Sequence, residues 1–217
     1  MKVLITGTGD RVGKTWVATA LIRALRNAGK RVIAIKPVET GRSGPPNDWE
    51  DGVRLAKATG QAEPAHAILR LAEPTTLMAG ERAGAEIDFD ALVLKMEHYL
   101  DGAEFGLIEG LGGLLAPVTW EWTMTDVARA LGASALVVAA DREGTINHTL
   151  LTLSALELAG IPCAGVVLAT PETTDRSTGA NAPAIARLSG LDRVTAVPRT
   201  SDPGDAAGSM APVVGWL

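Results

Sequence analysis

The amino-acid sequence predicts an α/β fold with a mostly parallel central sheet and helices on both faces. Short apolar runs alternate along the chain with segments whose apolar residues recur at helical spacing. A glycine-rich loop also follows the first strand-like run and leads directly into an amphipathic helix. Neither an internal repeat nor a long linker divides the 217 residues, so we expect a single domain that spans residues 1–217.

The elements can be assigned in chain order. Residues 1–6 form the first predicted strand, residues 7–15 the glycine-rich loop and residues 16–28 the first helix. Further strands are predicted at residues 31–36, 67–71 (short), 105–109, 134–140, 162–169 and 193–197. Further helices are predicted at residues 48–59 (capped by Asp48 or Asn47), 73–84 (a turn and a short helix), 88–100, 123–131, 147–159 and 182–189. Residues 37–47 and 171–181 are predicted loops, residues 110–113 a flexible loop, and the tail is weakly patterned.

Composition and charge argue against several classes of protein. Hydrophobic residues make up 47% of the chain, enough for a core, and the net charge is −5 with no Lys/Arg run longer than two. This charge pattern argues against a nucleic-acid partner, and no apolar stretch reaches the roughly 18 residues of a membrane span. The N-terminus lacks the pattern of a signal peptide, and the single Cys163 is expected to be a buried thiol. We therefore expect a cytoplasmic protein.

The loop after the first strand has the composition of a phosphate-binding loop. Its sequence is GTGDRVGKT, one residue longer than the standard pattern, which would have glycine at the position of Thr8. Glycines let backbone N–H groups surround a phosphate, and the helix start adds the positive end of its dipole. In this pattern Lys14 contacts the outer phosphates and the Thr15 hydroxyl coordinates Mg²⁺. The expected nucleotide contacts in the loop are Gly9, Asp10, Arg11, Val12, Gly13, Lys14 and Thr15.

Three charged residues outside this loop bear on the predicted site, namely Lys36, Asp51 and Glu109. Ligands of parallel α/β sheets bind beyond the carboxyl ends of the strands, where Lys36 and Glu109 stand. Glu109 is interpreted as a ligand of Mg²⁺, the alternative being an ordinary strand-end charge. Lys36 is either a solvated lysine or a cation that balances phosphate or oxyanion charge. Asp51 belongs to an acidic stretch, DWED, which alone would be a solvated helix start.

Asn147 stands at the beginning of a predicted helix. It is either the N-cap of that helix or part of an anion site at residues 144–147 that binds a substrate carboxylate. His148 is interpreted as a helix-start residue, because no second histidine lies at metal-ligand spacing. By themselves, these residues predict a Mg²⁺-dependent enzyme that uses ATP, and they leave the acceptor open.

The combination of motifs resembles the dethiobiotin synthetase family of P-loop NTPases. The matching segments run from Gly7 to His148. They are the long phosphate loop, KPVETG at 36–41, Asp51, EPT at 73–75, EGLGG at 109–113 followed by Pro117, DVA at 126–128 and GTINH at 144–148. Many ATPases share the loop, whereas the KPV, EGxGG and GxINH motifs are much more specific.

The resemblance implies a single-domain P-loop enzyme that carboxylates 7,8-diaminopelargonic acid with CO₂ and closes a cyclic urea. ATP would be the co-substrate and Mg²⁺ the cofactor, held by Thr15, Asp51 and Glu109. Lys14, Lys36 and Thr40 would be catalytic. The substrate would contact Thr40, Gly112, Gly113, Thr145, Ile146 and Asn147. The last three would come from the second subunit of a homodimer, with the substrate site at the interface.

The chain also departs from the family pattern. Gly9, Asp10 and Arg11 replace Asp, Thr and a variable or acidic residue of the loop, so Arg11 adds a positive charge beside the phosphates. The strand at 162–169 ends in Ala169 and is followed by Thr170, where the family commonly has Asn-Asp with the Asn reading adenine. We therefore expect relaxed base choice, with Thr170 as the remaining contact. Leu111 replaces a small residue and would narrow the substrate site.

Two other functions remain open at this point. One is a related P-loop ATPase that activates a different carboxylate or amine. The other is a non-catalytic, ATP-switched dimer of the cell-division or plasmid-partition kind. Such dimers normally carry a second lysine near the start of the loop, where this chain has only Arg11. A switch function would also leave Lys36 and residues 144–147 without a role.

Overall fold

The computed structural model describes residues 1–84 and 86–217. Its strands are β1 (Lys2–Gly7), β2 (Val32–Ile35), β3 (Val38–Glu39), β4 (Leu69–Arg70), β5 (Phe105–Gly113), β6 (Ser134–Ala140), β7 (Cys163–Ala169) and β8 (Val194–Val197). Its helices are α1 (Lys14–Asn27), α2 (Asp51–Thr59), α3 (Thr76–Ala83), α4 (Phe89–Leu100), α5 (Met124–Leu131), α6 (Thr145–Ala159), α7 (Asn181–Ser189), a 3₁₀ helix (Pro203–Met210) and α8 (Ala211–Trp216). Within the described residues, a six-stranded parallel sheet has the order β2-β5-β1-β6-β7-β8, and β3 pairs with β4 separately.

Helices cover both faces of the large sheet because its strands carry apolar side chains on both sides. Val3 and Ile5 of β1 pack on the side of α1, α2 and the C-terminal helices. Leu4 points to the opposite side, which α4, α5, α6 and α7 cover. Continuous apolar runs of this kind are typical of parallel strands buried on both faces. The predicted fold class is confirmed.

The strand order determines where a ligand can bind. From β1 the chain crosses over β5 to reach β2, whereas the connection from β5 crosses over β1 to reach β6. The direction of winding therefore reverses at β1. In open α/β sheets, the crevice beyond the carboxyl ends of the strands at such a reversal is the usual ligand site.

Two predicted boundaries near this crevice are wrong. The segment at 110–113 is not a flexible loop, because β5 continues through it and Gly113 pairs with Gly7 of β1. Helix α6 begins at Thr145, with Gly144 as its N-cap at a φ of 85°. Asn147 therefore lies inside the first turn and is not the N-cap. A glycine suits this cap because its φ is in the left-handed region.

The start of α2 also differs from the prediction. The helix begins at Asp51 with Glu50 as its N-cap, and neither Asp48 nor Asn47 caps it. Asn47 instead forms a local turn in which its side-chain oxygen accepts the N–H of Trp49 at 3.1 Å. Asp48 pairs on the surface with Lys57 at 2.7 Å. The helix start is therefore set by contacts outside the acidic stretch.

The C-terminal tail is helical despite its weak sequence pattern. Met210 and Val213 are buried against the α1 side of the sheet. Trp216 lies directly over Gly165 of β7, where any Cβ would overlap the indole ring. Tertiary packing, and not periodicity, therefore determines these helices. No helix in the described part of the chain has the length and apolar character that a membrane crossing requires.

Candidate active site

The phosphate-binding loop connects the carboxyl end of β1 with α1. Gly13 has a φ of 99° and is the N-cap of α1, so the unpaired N–H groups of the first helical turn lie at the loop. Arg11 is exposed and has a φ of 54°, an uncommon value for a residue with a side chain. Lys14 is buried, and its Nζ donates to the carbonyl of Gly9 at 3.0 Å. This geometry suits a loop that surrounds an anion.

Three other predicted residues meet beside the loop. The Thr15 hydroxyl lies 2.8 Å from Asp51 Oδ1 and 2.9 Å from Glu109 Oε1. Lys36 Nζ donates to Glu109 Oε1 at 2.8 Å and lies 3.2 Å from Asp51 Oδ2. Residues from β5, α1, α2 and the end of β2 therefore form one cluster, which we call the Lys36 cluster (Thr15, Lys36, Asp51 and Glu109).

Burial makes this cluster electrostatically unusual. Lys36 and Glu109 are only 5% and 1% exposed. Burial raises the pKa of Glu109 despite the nearby Lys36 charge. Burial alone would lower the pKa of Lys36, but the charges of Glu109 and Asp51 outweigh it and raise that pKa. Burial and the charge of Lys36 lower the pKa of Lys14. The ammonium groups of Lys14 and Lys36 therefore lie close to the place where phosphates would bind.

The donor set of the cluster fits a magnesium ion. Mg²⁺ in phosphate-binding sites commonly uses one or two carboxylates, with phosphate and water oxygens completing the coordination. Asp51 and Glu109 supply carboxylates and Thr15 a hydroxyl. The second oxygen of Glu109, Oε2, is buried and has no hydrogen-bond partner among residues 1–84 and 86–217. A buried carboxylate oxygen without a partner is costly, and a cation ligand is a common explanation for one.

Two cavities adjoin the loop on the side of α6. One, of about 170 Å³, is lined by the loop together with Ala140, Arg142, Thr145 and His148. The other, of about 270 Å³, lies between the β5 end at Gly113 and α6. A small molecule in these cavities would contact the phosphate loop, the end of β5 and the start of α6.

The other residues predicted to contact substrate are not part of the Lys36 cluster. Gly112 lies beside Asp10 of the loop, with a φ of 43°. Thr40 directly follows β3 and is half-buried. In the first turn of α6, Ile146 is half-buried and Asn147 exposed. None of these four predicted substrate contacts lines either of the two cavities beside the loop.

Thr170 lies at the end of β7, where a nucleobase contact is predicted. Its N–H and its hydroxyl both donate to the carbonyl of Val197, at 3.1 and 3.2 Å. Ala169 beside it carries only a methyl group, which lies against Gly13. Neither side chain offers a free donor to the edge of a base.

Sequence reasoning missed two buried carboxylates near the site. Glu39 accepts the backbone N–H groups of Asp51 and Gly52. Asp141, which directly follows β6, accepts from Asn181 Nδ2 at 2.7 Å and so anchors the segment after β7. The signal available in the sequence was position alone, because Glu39 is the last residue of β3 and Asp141 directly follows β6.

Asp175 ties the segment after β7 to the approach to α6. Its carboxylate accepts the N–H groups of Glu143 and Ser177, both at 2.8 Å. These hydrogen bonds, with that from the Ser177 hydroxyl, lower the pKa of Asp175 from 3.8 to about 2. Because the folded pKa lies below the unfolded one, this stabilisation is fully present above about pH 4 and is lost as the pH falls through about 2. We expect an NMR titration midpoint near 2 for Asp175; a midpoint near 3.8 would contradict these bonds.

Comparisons with known proteins bear on the fold and the family of the chain. A family model described as "AAA domain" matches residues 1–206. A nucleotide-binding protein from Archaeoglobus fulgidus, solved in complex with ADP, has a TM-score of 0.55 at 12% identity. That comparison covers 98% of this chain and 87% of the archaeal one, and it shows a shared fold.

Two relatives are similar in sequence over most of their length. The ATP-dependent dethiobiotin synthetase of Anaeromyxobacter dehalogenans strain 2CP-C is 41% identical over 205 residues, which cover 92% of this chain and 91% of the relative. The ATP-dependent dethiobiotin synthetase of Rhodococcus jostii strain RHA1 is 40% identical over 203 residues, which cover 92% and 87%. The resemblance inferred from the motifs is confirmed. The chain belongs to the ATP-dependent dethiobiotin synthetase family.

Proposed function

We propose that this chain is a single-domain, cytoplasmic enzyme that converts 7,8-diaminopelargonic acid, CO₂ and ATP into dethiobiotin, ADP and phosphate. The observation that carries the proposal is the Lys36 cluster beside the phosphate loop. It occurs in a chain that is about 40% identical to proteins named ATP-dependent dethiobiotin synthetase. A phosphoryl-transfer enzyme needs charge and positioning more than covalent chemistry, and the cluster is suited to supply both.

The proposed reaction has three steps. An amine nitrogen of the substrate bonds to the carbon of CO₂ and loses a proton, which gives a carbamate. A carbamate oxygen then bonds to the γ-phosphorus of ATP, and ADP leaves. Finally, the nitrogen of the second amine bonds to the carbamate carbon and loses a proton, the C–O bond to the phosphoryl group breaks, and phosphate departs with its electron pair as the urea ring closes.

The residues of the chain have distinct roles in this scheme. Lys14 and Lys36 stabilise negative charge on the phosphates and the carbamate, because their ammonium groups lie in poorly solvated surroundings. Thr40 donates a hydrogen bond to the carbamate or to the γ-phosphate. Thr15, Asp51 and Glu109 hold Mg²⁺, which would neutralise charge on the phosphate oxygens.

Phosphate release with and without the diamine tests the proposal. The assay contains ATP, Mg²⁺ and bicarbonate, and the product is identified by mass spectrometry. We expect release that depends on the diamine and yields dethiobiotin. Slow release that ignores the diamine would favour an ATP-switched dimer. Absence of release with the diamine, but release with another amine or carboxylate, would favour a related ATPase with a different acceptor.

Substitution of Glu109 by glutamine tests the metal site. The change keeps the size of the side chain and removes its charge, so we expect turnover at limiting Mg²⁺ to fall by about 10-fold, the lower end of the range for groups that support a metal site. Glu104→Gln is the matched control, because Glu104 lies in the turn before β5 and is exposed. Full activity of Glu109→Gln at limiting Mg²⁺ would show that Glu109 is not a metal ligand.

The base preference provides a separate test. Because Ala169 has no polar group and both donors of Thr170 are used by Val197, we expect turnover with ATP, GTP and CTP to agree within about threefold, under 1 kcal/mol of discrimination. The measurement is phosphate release with each nucleotide at saturating diamine. Strict use of ATP would mean that other groups read the base.

The surface of α6 supports a homodimer in this proposal. Leu151 and Leu158 lie two turns apart on one face of α6 and are 63% and 88% exposed. Exposed apolar side chains that lie together commonly mark a contact between proteins, and a second copy of the chain would bury them. Leu115 and Leu151 also border the 270 Å³ cavity, so the second copy would help to enclose the substrate.

Light scattering coupled to size-exclusion chromatography tests the dimer. We expect the mass of two chains, and a shift towards one chain for Leu158→Asp. Leu94→Asp, at an exposed leucine of α4, is the control and should remain dimeric. A wild-type protein that runs as a monomer would contradict a shared site.

A further inference from the structure

The start of α2 lacks a cap from its own sequence. Its N-cap residue, Glu50, makes no side-chain hydrogen bond to the helix. The Glu50 carboxylate instead pairs with Arg70 of β4, through Nε at 2.7 Å and Nη2 at 2.6 Å. The first N–H groups of a helix have no partner within the helix and need acceptors from elsewhere.

Glu39 of β3 supplies those acceptors. Its Oε1 accepts the N–H of Asp51 at 2.8 Å, and its Oε2 accepts the N–H of Gly52 at 3.1 Å. The side chain is buried, and its further contact is Arg42 Nε, at 3.1 Å from Oε1. A carboxylate suits this position because it has two acceptor oxygens and a negative charge at the positive end of the helix dipole.

The residue held by Glu39 is the one that contacts the cluster. The N–H of Asp51 is bound by Glu39, while the carboxylate of Asp51 contacts Thr15 and Lys36. Lys36 and Glu39 are three residues apart, and their segment is fixed along β4. The carbonyls of Lys36, Pro37 and Glu39 accept N–H groups of residues 68, 69 and 71 at 2.9, 3.0 and 2.9 Å.

We propose that Glu39 is a positioning residue for magnesium binding. It fixes the backbone of Asp51, so that the Asp51 carboxylate is held next to Thr15 and Glu109. This inference rests on the proposed function, in which Asp51 holds Mg²⁺. Groups that orient metal ligands typically affect metal affinity or activity 10- to 100-fold when they are removed.

Glu39→Gln tests the inference directly. The amide keeps one acceptor oxygen but places an NH₂ group against a helix N–H, so one of the two bonds is lost. We expect the Mg²⁺ concentration for half-maximal turnover to rise about 10-fold, while KM for the diamine changes less than about twofold. Glu39→Asp keeps the charge and both oxygens at a shorter reach, and it should fall between wild type and Glu39→Gln.

A binding measurement gives the same information without turnover. Calorimetry compares ADP affinity with and without Mg²⁺. We expect Mg²⁺ to enhance ADP binding about 10-fold less in Glu39→Gln than in wild type. If wild type makes no dethiobiotin, the proposed function fails, yet this comparison still tests Glu39.

Two control variants separate positioning from general stability. Arg42→Ala removes the other partner of Glu39 and leaves both helix bonds, so the Mg²⁺ dependence should stay within about twofold of wild type. Leu92→Ala opens a cavity on the opposite face of the sheet, and it should lower thermal stability without changing the Mg²⁺ dependence. If Glu39→Gln does not fold, Glu39→Asp is compared in the same way. An unchanged Mg²⁺ dependence in a folded Glu39 variant would overturn the proposal.

Discussion

Replacement of Lys36 by methionine is expected to lower the turnover number about 10³-fold. Removal of one preorganised charge-stabilising group from an active site typically costs 10²- to 10³-fold. We expect the loss of turnover for Lys36 to be at the upper end of this range, because Lys36 is buried and contacts both carboxylates of the cluster. Single-turnover formation of phosphate and dethiobiotin measures the effect.

The same change is expected to destabilise the fold by about 3 kcal/mol, because it leaves the buried Glu109 without its cationic partner. Denaturant unfolding measures this. Lys57→Met is the matched control, since Lys57 pairs with Asp48 at 2.7 Å while both side chains remain mostly exposed. We expect it to change stability by less than about 0.5 kcal/mol. A Lys36→Met variant as stable and as active as the control would contradict the role of Lys36.

Gly52→Ala is also expected to lower both the stability and the turnover of the protein, although it adds only a methyl group. A Cβ at Gly52 would overlap Ala67 N and lie 2.7 Å from His66 C, both backbone atoms. The start of α2 would have to move away, and overpacking of this kind costs up to about 3 kcal/mol. Because Asp51 precedes Gly52, a shift of about 1 Å would also misplace the cluster and lower turnover about 100-fold.

Gly80→Ala is the control for the loss of a helical glycine. Gly80 lies in α3, where, among the atoms that the structure describes, a Cβ would come within 4 Å of Glu86 Cγ alone, at 3.7 Å. Alanine is the better helix former, so we expect a gain of about 0.5–1 kcal/mol at this position. Thermal unfolding and turnover of both variants, measured together, distinguish the two glycines. Equal behaviour of the two variants would contradict the close approach at Gly52.

The sequence was informative wherever chemistry depends on residue type and strand order. The phosphate loop, Lys36 and Glu109 were identifiable because they stand at the ends of apolar runs that form parallel strands. The start of α2 was not, because DWED offers several possible caps and the acceptor is Glu39, a residue distant along the chain. Trp216 could not be placed either, since its partner Gly165 lies far from it in sequence.

The extension of β5 through Gly113 has a thermodynamic consequence for the proposed enzyme. Gly113 pairs with Gly7 and bridges Thr8, so the segment beside the substrate cavity and the first residues of the phosphate loop share one backbone ladder. A nucleotide that shifts the loop must also shift the end of β5. If bound nucleotide changes the affinity for the diamine by some factor, thermodynamic linkage requires the diamine to change the affinity for nucleotide by the same factor. The measured coupling between the two substrates should therefore be equal in either order of binding.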